Sequence, residues 1–320
     1  METNRSELPE NAMKVALVCH SDLLGGASVV TYRLMYALRM LGIDARMVVF
    51  TKTGDDPNVM KVGHRFFRGL TFMLEHGRIA LSNGFSRKNL FKVSIANVGM
   101  SVHRHPWVRE ADVVMLSWVN QGMMSLKEIG KLAAMGKPVV WTMHDMWNLT
   151  GICHHAYECR GYKAQCGNCQ YLLGTNSKDL SHKIWLKKKK LYDSGNITFV
   201  AVSHWLAEKC KESSLMRDAD VRVINNAFPV ESFTVDTTVQ LKNLAFKKNV
   251  IIMGAVRLDD PIKGLRYAIE ALNYLFDNNP ELARDTEALF FGGVRDKSVF
   301  GKLRFPHRFI GNVEDPSLLR

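Results

Sequence analysis

Short apolar runs alternate with longer stretches of helical spacing along this chain. Lys14-Val-Ala-Leu-Val-Cys-His20 is apolar on both faces, which predicts a buried parallel strand. Residues 29–41 follow with helical periodicity and Gly42 as the stop, and Arg46-Met-Val-Val-Phe50 predicts a second strand. The alternation continues, with strands expected at 111–117, 138–142, 197–203 and 221–224 and helices at 126–135, 181–192 and 204–211. Such an order predicts an α/β fold with a doubly wound parallel sheet.

Residues 227–247 lack strong periodicity and read as a linker. A second apolar run, Asn249-Val-Ile-Ile-Met-Gly-Ala-Val256, predicts another buried strand, followed by a helix at 265–276 and strands at 287–293 and 308–313. The expected organisation is an N-terminal domain over 13–226 with a cysteine-rich insert at 150–170, and a partial second domain over 248–320. A full domain of that type needs more strands than this, so the sequence reads as a fragment or as cut short at its C-terminal end.

Residues 53–110 are the least regular and mix bases with aromatics: Arg65-Phe-Phe-Arg68, Phe72, Arg78, Phe85, Arg87-Lys88, Phe91-Lys92. Amphipathic helices that pack these rings into the core are the favoured expectation. A segment lying on an anionic membrane surface is the alternative.

Composition narrows the class. With 47% hydrophobic and 23% charged residues over 320 positions, the chain is an ordinary soluble globular protein long enough for two domains. No apolar run approaches the ~18–20 residues of a membrane span, so a cytoplasmic protein is expected. There the six cysteines remain reduced and do not imply disulfides. A net charge of +12 favours an anionic partner: a phosphorylated substrate, acidic lipid or nucleic acid.

The candidate chemistry sits where strands end, because open α/β sheets bind ligands outside the carboxyl ends of their strands. Gly25 and Gly26 follow the first strand, where a backbone without Cβ and a helix N-terminus admit a phosphate. Tight-turn geometry explains the pair equally well, and the spacing is not that of a nicotinamide-type fingerprint. His144 and Asp145 break the strand ending in Trp141, either as a proton- and charge-handling pair or as a strand cap. The cysteines run Cys153-x5-Cys159-x6-Cys166-x2-Cys169. Four thiolates complete a closed tetrahedral site, so a structural zinc is expected there, with free thiols as the alternative and His154 and His155 as substitute ligands. The run Lys187-Lys-Lys-Lys190 reads as a solvated helix face.

Five stretches together resemble the family 4 glycosyltransferases of GT-B architecture: the Gly25-Gly26 turn, His144-Asp145, Val202-Ser203, Val223-Ile-Asn-Asn226, and Gly254-x2-Arg257-x5-Lys263-Gly264. The segment from His144 to Cys153 is similar to a subgroup associated with bacterial surface polysaccharides. The resemblance implies two Rossmann-like domains and retaining transfer from a nucleotide-diphosphate sugar, with no catalytic metal. It implies a lipid-linked sugar as acceptor, peripheral contact with the anionic inner membrane, and no nucleic acid. His144 would face the transferred sugar and orient a hydroxyl, with Asp145 fixing its tautomer or capping the next turn. Gly25, Gly26, Ser203, Asn226, Arg257 and Lys263 would bind the donor, the two cations receiving the departing diphosphate. The family's downstream Glu-x7-Glu motif is not reached before the sequence ends, which implies an incomplete donor pocket; a glycosyltransferase is the expectation, with an inactive chain as given as the alternative. A zinc-bearing nucleic-acid-binding protein and a non-catalytic scaffold are the competing readings.

Overall fold

The computed structural model describes residues 9, 11–194, 196–230 and 247–313. It divides into two compact units, Met1–Phe228 and Pro229–Arg320. Most of the expected linker, 231–246, lies outside the described residues.

The first unit holds a seven-stranded sheet. Its strands are β1 (Lys14–Ser21), β2 (Asp44–Thr51), β3 (Val59–Lys61), β4 (Val113–Leu116), β5 (Val139–Met143), β6 (Ile197–Ala201) and β7 (Val221–Val223). Six helices join them: α1 (Gly26–Met40), α2 (Arg65–Ser82), α3 (Pro106–Glu110), α4 (Leu126–Ala133), α5 (Leu180–Asp193) and α6 (His204–Glu212). The order is β3-β2-β1-β4-β5-β6-β7, and every pairing is parallel. Alternate residues of β1 feed opposite faces. Ala16 and Val18 join a large core with Leu116 and Trp141, while Val15, Leu17 and Cys19 join a second with Met35 and Met47. Both faces are dry, which is why β1 has no polar alternation. The chain leaves β1 toward β2 and β3, then crosses back to β4 on the other side. The strand order therefore reverses between β1 and β4, and ligands of open α/β sheets bind at such a switch point.

The second unit pairs β8 (Asn249–Arg257), β9 (Thr286–Gly293) and β10 (His307–Phe309) in the parallel order β10-β9-β8, with α7 (Leu265–Asn278) and α8 (Pro280–Asp285). β9 is buried along most of its length. β8 is not the buried strand that its sequence predicts: Ile252 is 62% and Val256 85% exposed. β8 is the edge of a three-stranded sheet, and only the face carrying Met253 and Ala255 packs on that unit's core.

Two other expectations fail. α2 does form, but of its phenylalanines only Phe72 is half-buried, against His76. It turns Glu75, His76 and Ile79 inward, and Glu75 accepts the backbone N–H groups of Ile95, Ala96 and Gly122. A buried carboxylate satisfied by main-chain donors anchors the helix. Phe66 and Phe67 point out at 68% and 55% exposure, and Phe85 and Phe91 are exposed as well.

The lysine run is not uniformly solvated either: Lys188 is fully buried. Its ammonium donates to the carbonyls of Trp147 (2.5 Å) and Thr150 (3.1 Å) and lies 3.3 Å from the Trp147 ring centroid. Burial holds its pKa well below the ordinary lysine range. Two carbonyls and a π face replace the lost water. No described helix is long and apolar enough to cross a membrane.

Candidate active site

The site begins at the β1–α1 turn. Asp22, buried after β1, accepts from the backbone N–H groups of Leu23, Thr53 and Gly54 and from the Thr53 hydroxyl. Burial alone would raise its pKa, but these donors together hold it below the usual carboxylate range. They also tie the turn to the loop after β2.

Gly25 caps α1 with φ 88°, a left-handed conformation that favours glycine, and no side chain caps the helix. A Cβ on Gly25 or Gly26 would meet nothing within 4 Å. The first turn of α1 thus presents main-chain N–H groups without a covering side chain.

His144 follows β5 on the same sheet edge. Its Nε2 lies 2.8 Å from the Ser117 hydroxyl, at the end of β4. The Ser117 oxygen lies 2.6 Å from the Thr31 hydroxyl, which is 2.7 Å from the Ala27 carbonyl in the first turns of α1. Burial lowers the His144 pKa, and the Asp145 charge only partly offsets it. The ring is therefore neutral near pH 7.

Asp145 turns away from His144. It accepts the Trp118 indole N–H (2.9 Å) and the Trp147 backbone N–H (2.8 Å), and stands 2.8 Å from His154 Nδ1. Burial favours its neutral form. The His154 partner and the two N–H donors outweigh that and hold the carboxyl below its ordinary value. Asp145 therefore holds the first N–H of the 3₁₀ turn Trp147–Leu149, whose N-cap residue is Met146, and fixes two rings beside the site. The Ser117 hydroxyl, rather than Asp145, holds the His144 ring.

The other predicted residues are spread more widely. Ser203 spends its hydroxyl as the N-cap of α6, accepting the Leu206 N–H at 3.2 Å. Asn226 is exposed beyond β7. In the second unit Arg257 ends β8, 3.3 Å from Asp259, and Lys263 closes the 3₁₀ turn Pro261–Lys263 before α7. Both cations belong to the β8–α7 connection, and Gly264 enters the helix with φ 73°.

Cys153, Cys159, Cys166 and Cys169 line one small cavity. Among the described residues, however, no three His, Cys, Asp or Glu side chains are arranged to hold a metal ion. The expected zinc is thus not supported, and neither substitute ligand alters this: His154 is engaged by Asp145. Burial pushes the Cys153 and Cys169 thiols up to about 12 and Cys166 to about 11.

Sequence reasoning did not single out Thr31, Ser117 or His20. His20 ends β1, its Nδ1 3.1 Å from the Asn120 carbonyl and its ring 5.3 Å from Trp118. A histidine at a strand end was the available signal for His20. The two hydroxyls gave none.

Comparison with known proteins follows this geometry. The family model described as Glycosyltransferase Family 4 matches residues 24–232. Over 93 residues the chain is 30% identical to the putative colanic acid biosynthesis glycosyl transferase WcaC of Escherichia coli (strain K12), covering 28% of this chain and 22% of that protein. The chain thus spans about a fifth of that curated relative's length in the match. The crystal structure of WaaG, a glycosyltransferase involved in lipopolysaccharide biosynthesis, superposes with TM-score 0.54 at 15% identity, covering 95% of this chain and 72% of WaaG. Anabaena Alr3699/HepE, crystallised with UDP, superposes with TM-score 0.50 at 13% identity, covering 96% of this chain and 71% of HepE. These likenesses show the GT-B fold. With the match spanning most of the first unit, the chain belongs to glycosyltransferase family 4.

Proposed function

We propose that the chain transfers a sugar from a nucleotide-diphosphate sugar to a lipid-linked or oligosaccharide acceptor in cell-surface polysaccharide assembly. The reaction retains anomeric configuration and uses no catalytic metal. One observation carries the reading. On a single sheet edge, a glycine-led helix start without a side-chain cap stands with a neutral histidine whose Nδ1 has no hydrogen-bond partner among the described residues. Helix N–H groups suit an anionic phosphate, and a neutral imidazole suits a sugar hydroxyl. The UDP bound in HepE and the colanic acid and lipopolysaccharide biosynthesis named for WcaC and WaaG support the same substrate classes.

Sugar transfer leaves a diphosphate of growing negative charge, which fixed donors and cations must stabilise. Arg257 and Lys263 fill that role in the second unit, with Asp259 holding the guanidinium in place. Losing one charge-assisted bond to the diphosphate costs roughly 1.5–3 kcal/mol, about ten- to hundredfold in rate. Calorimetric titration with UDP- and GDP-sugars, followed by turnover with a lipid-linked acceptor, tests the proposal. Arg257→Ala should weaken turnover by that factor. His144→Ala should cripple it while tryptophan fluorescence stays native. No heat from any nucleotide sugar, or near-normal turnover in His144→Ala, removes the reading.

The acceptor side is proposed to lie against an anionic lipid surface at the cytoplasmic face of the inner membrane. On α2, Phe66, Phe67, Met73, Leu74 and Leu81 are 50–68% exposed, and helical spacing places them with half-buried Leu70 on one stripe. Arg65 and Arg78 are exposed on the same helix, so bases meet head groups while rings enter the interface. Phosphatidylglycerol-containing vesicles should co-sediment the chain, and Phe66→Ser with Phe67→Ser should release it. Equal sedimentation with pure phosphatidylcholine vesicles would refute an electrostatic contact.

A further inference from the structure

His20 stands at the end of β1, on the edge where the strand order reverses, and residues from both sides of the reversal meet there. Its backbone N–H donates to the Trp118 carbonyl at 2.8 Å, and its ring Nδ1 lies 3.1 Å from the Asn120 carbonyl. Trp118 and Asn120 follow β4. The ring is held sideways as well, its centroid 5.1 Å from Phe50 near the end of β2 and 5.3 Å from Trp118.

The Asn120 bond settles where the His20 proton sits. A carbonyl oxygen has lone pairs and no proton, so the bond exists only with the proton on Nδ1. The same oxygen also receives the Met123 N–H at 3.4 Å, which its second lone pair accommodates. Burial lowers the ring's pKa and the Asn120 bond only partly offsets it, so near pH 7 the ring carries one proton. Nε2 is then a lone pair, and it has no hydrogen-bond partner among the described residues. Asn120 supplies the complement. It is 4% exposed, and its side-chain Nδ2 also has no partner among them. The switch point thus holds one unspent acceptor and one unspent donor. A fully ionised phosphate brings lone pairs alone, and the Nε2 lone pair would repel it. A hydroxyl brings a proton as well as lone pairs, so it suits both groups.

His144 lies on the far side of β4, at the end of β5. Two strand spacings, roughly 10 Å, separate the backbones of the two histidines, so their rings meet different hydroxyls. With phosphate at the start of α1 and the transferred sugar at His144, the hydroxyl left for His20 belongs to the sugar that receives the transfer. We propose that His20 is an acceptor-binding residue whose Nε2 takes a hydrogen bond from a hydroxyl of the acceptor sugar, with Asn120 as the donor beside it. This rests on the sugar-transfer reading for which sugar is meant, but not for the binding of a sugar hydroxyl.

Octyl β-glucoside and octyl β-galactoside, kept below their micelle-forming concentrations, are the probes and stand for a lipid-borne sugar. Long-range ¹H–¹⁵N correlation spectra of the full chain labelled with ¹⁵N-histidine report both ring nitrogens, and His20→Gln assigns the His20 signals by difference. The free protein should show the Nδ1–H pattern. At least one glycoside should move the Nε2 signal toward that of a hydrogen-bonded nitrogen and leave Nδ1 in place, whereas inorganic phosphate should move neither. By calorimetry, His20→Ala should weaken the Kd of that glycoside about tenfold and leave the Kd of a UDP- or GDP-sugar unchanged. His20→Gln, whose amide oxygen accepts in place of Nε2, should recover most of the loss, which a purely packing role would not allow. An Nε2–H pattern in the free protein overturns the proposal, and so does a spectrum that neither glycoside moves. A shift produced by UDP and by neither glycoside overturns it too, since the hydroxyl would then be the nucleotide's. A glycoside shift in a chain that binds no nucleotide sugar upholds the His20 contact and removes the transferase reading.

Discussion

β1 and β8 open their respective units with nearly the same text. Each is a short apolar run followed by a glycine-bearing turn and a helix. Yet Leu17 in β1 is fully buried, whereas Ile252 in β8 is 62% exposed. The difference lies in position. β1 is flanked by β2 and β4 and covered on both faces, while β8 borders only β9 and is covered within its unit on one. An apolar run states a preference for burial. The number of neighbouring strands and covering helices decides whether the preference is met.

Substitutions sharpen that contrast, and the largest effect should come at the dry strand. Leu17→Ala removes a side chain buried on a packed face and should cost about 2–5 kcal/mol. Ile252→Ala, on the uncovered face of β8, should stay within about 0.5 kcal/mol. Equal losses in the two variants, by denaturant unfolding, would show that β8 is covered in solution.

Asp145→Ala should rank next, at roughly 3 kcal/mol, because it strands the Trp118 and Trp147 N–H donors and the His154 ring together. Lys188→Met should cost somewhat less, about 2 kcal/mol, since the methionine keeps the contact with Trp147 but leaves two carbonyls without a donor. A melting temperature unchanged by Lys188→Met would mean that the ammonium contributes nothing net.

The smallest effect is one of pH. His20, His105 and His144 all lie in the first unit, and burial depresses each below the ordinary value of 6.5, opposed at His20 by its bond to Asn120 and at His144 by the Asp145 charge. The unfolded chain therefore binds protons that the folded unit refuses. Their contribution to stability is present above 6.5 and is lost as pH falls through the lower folded values. The six tryptophans, at 107, 118, 141, 147, 185 and 205, also all lie in the first unit, so their fluorescence follows its unfolding alone. The midpoint seen this way should fall on acidification below about pH 6.5. A flat profile down to about pH 5 would contradict the depressed histidines.

The sequence by itself determined the sheet type, the order of elements, the Gly25-Gly26 turn and the strand-end place of His144, because these follow from local period and from residues adjacent in the chain. It misjudged α2, β8, Lys188 and the cysteine cluster, each of which depends on what lies across a gap. A ring on an amphipathic helix has the same spacing whether its stripe meets a core or solvent. A lysine run shows charge but not the two carbonyls, 38 and 41 residues away, that receive one of its ammonium groups. The histidine's setting was hidden for the same reason. Ser117 lies 27 residues before His144 and 86 after Thr31, and only the parallel pairing of β1, β4 and β5, with α1 packed on β1, brings the three hydrogen-bonding groups together. Periodicity is written residue by residue. Hydrogen-bond direction and burial belong to pairs of atoms, and the folded chain alone makes the pairs.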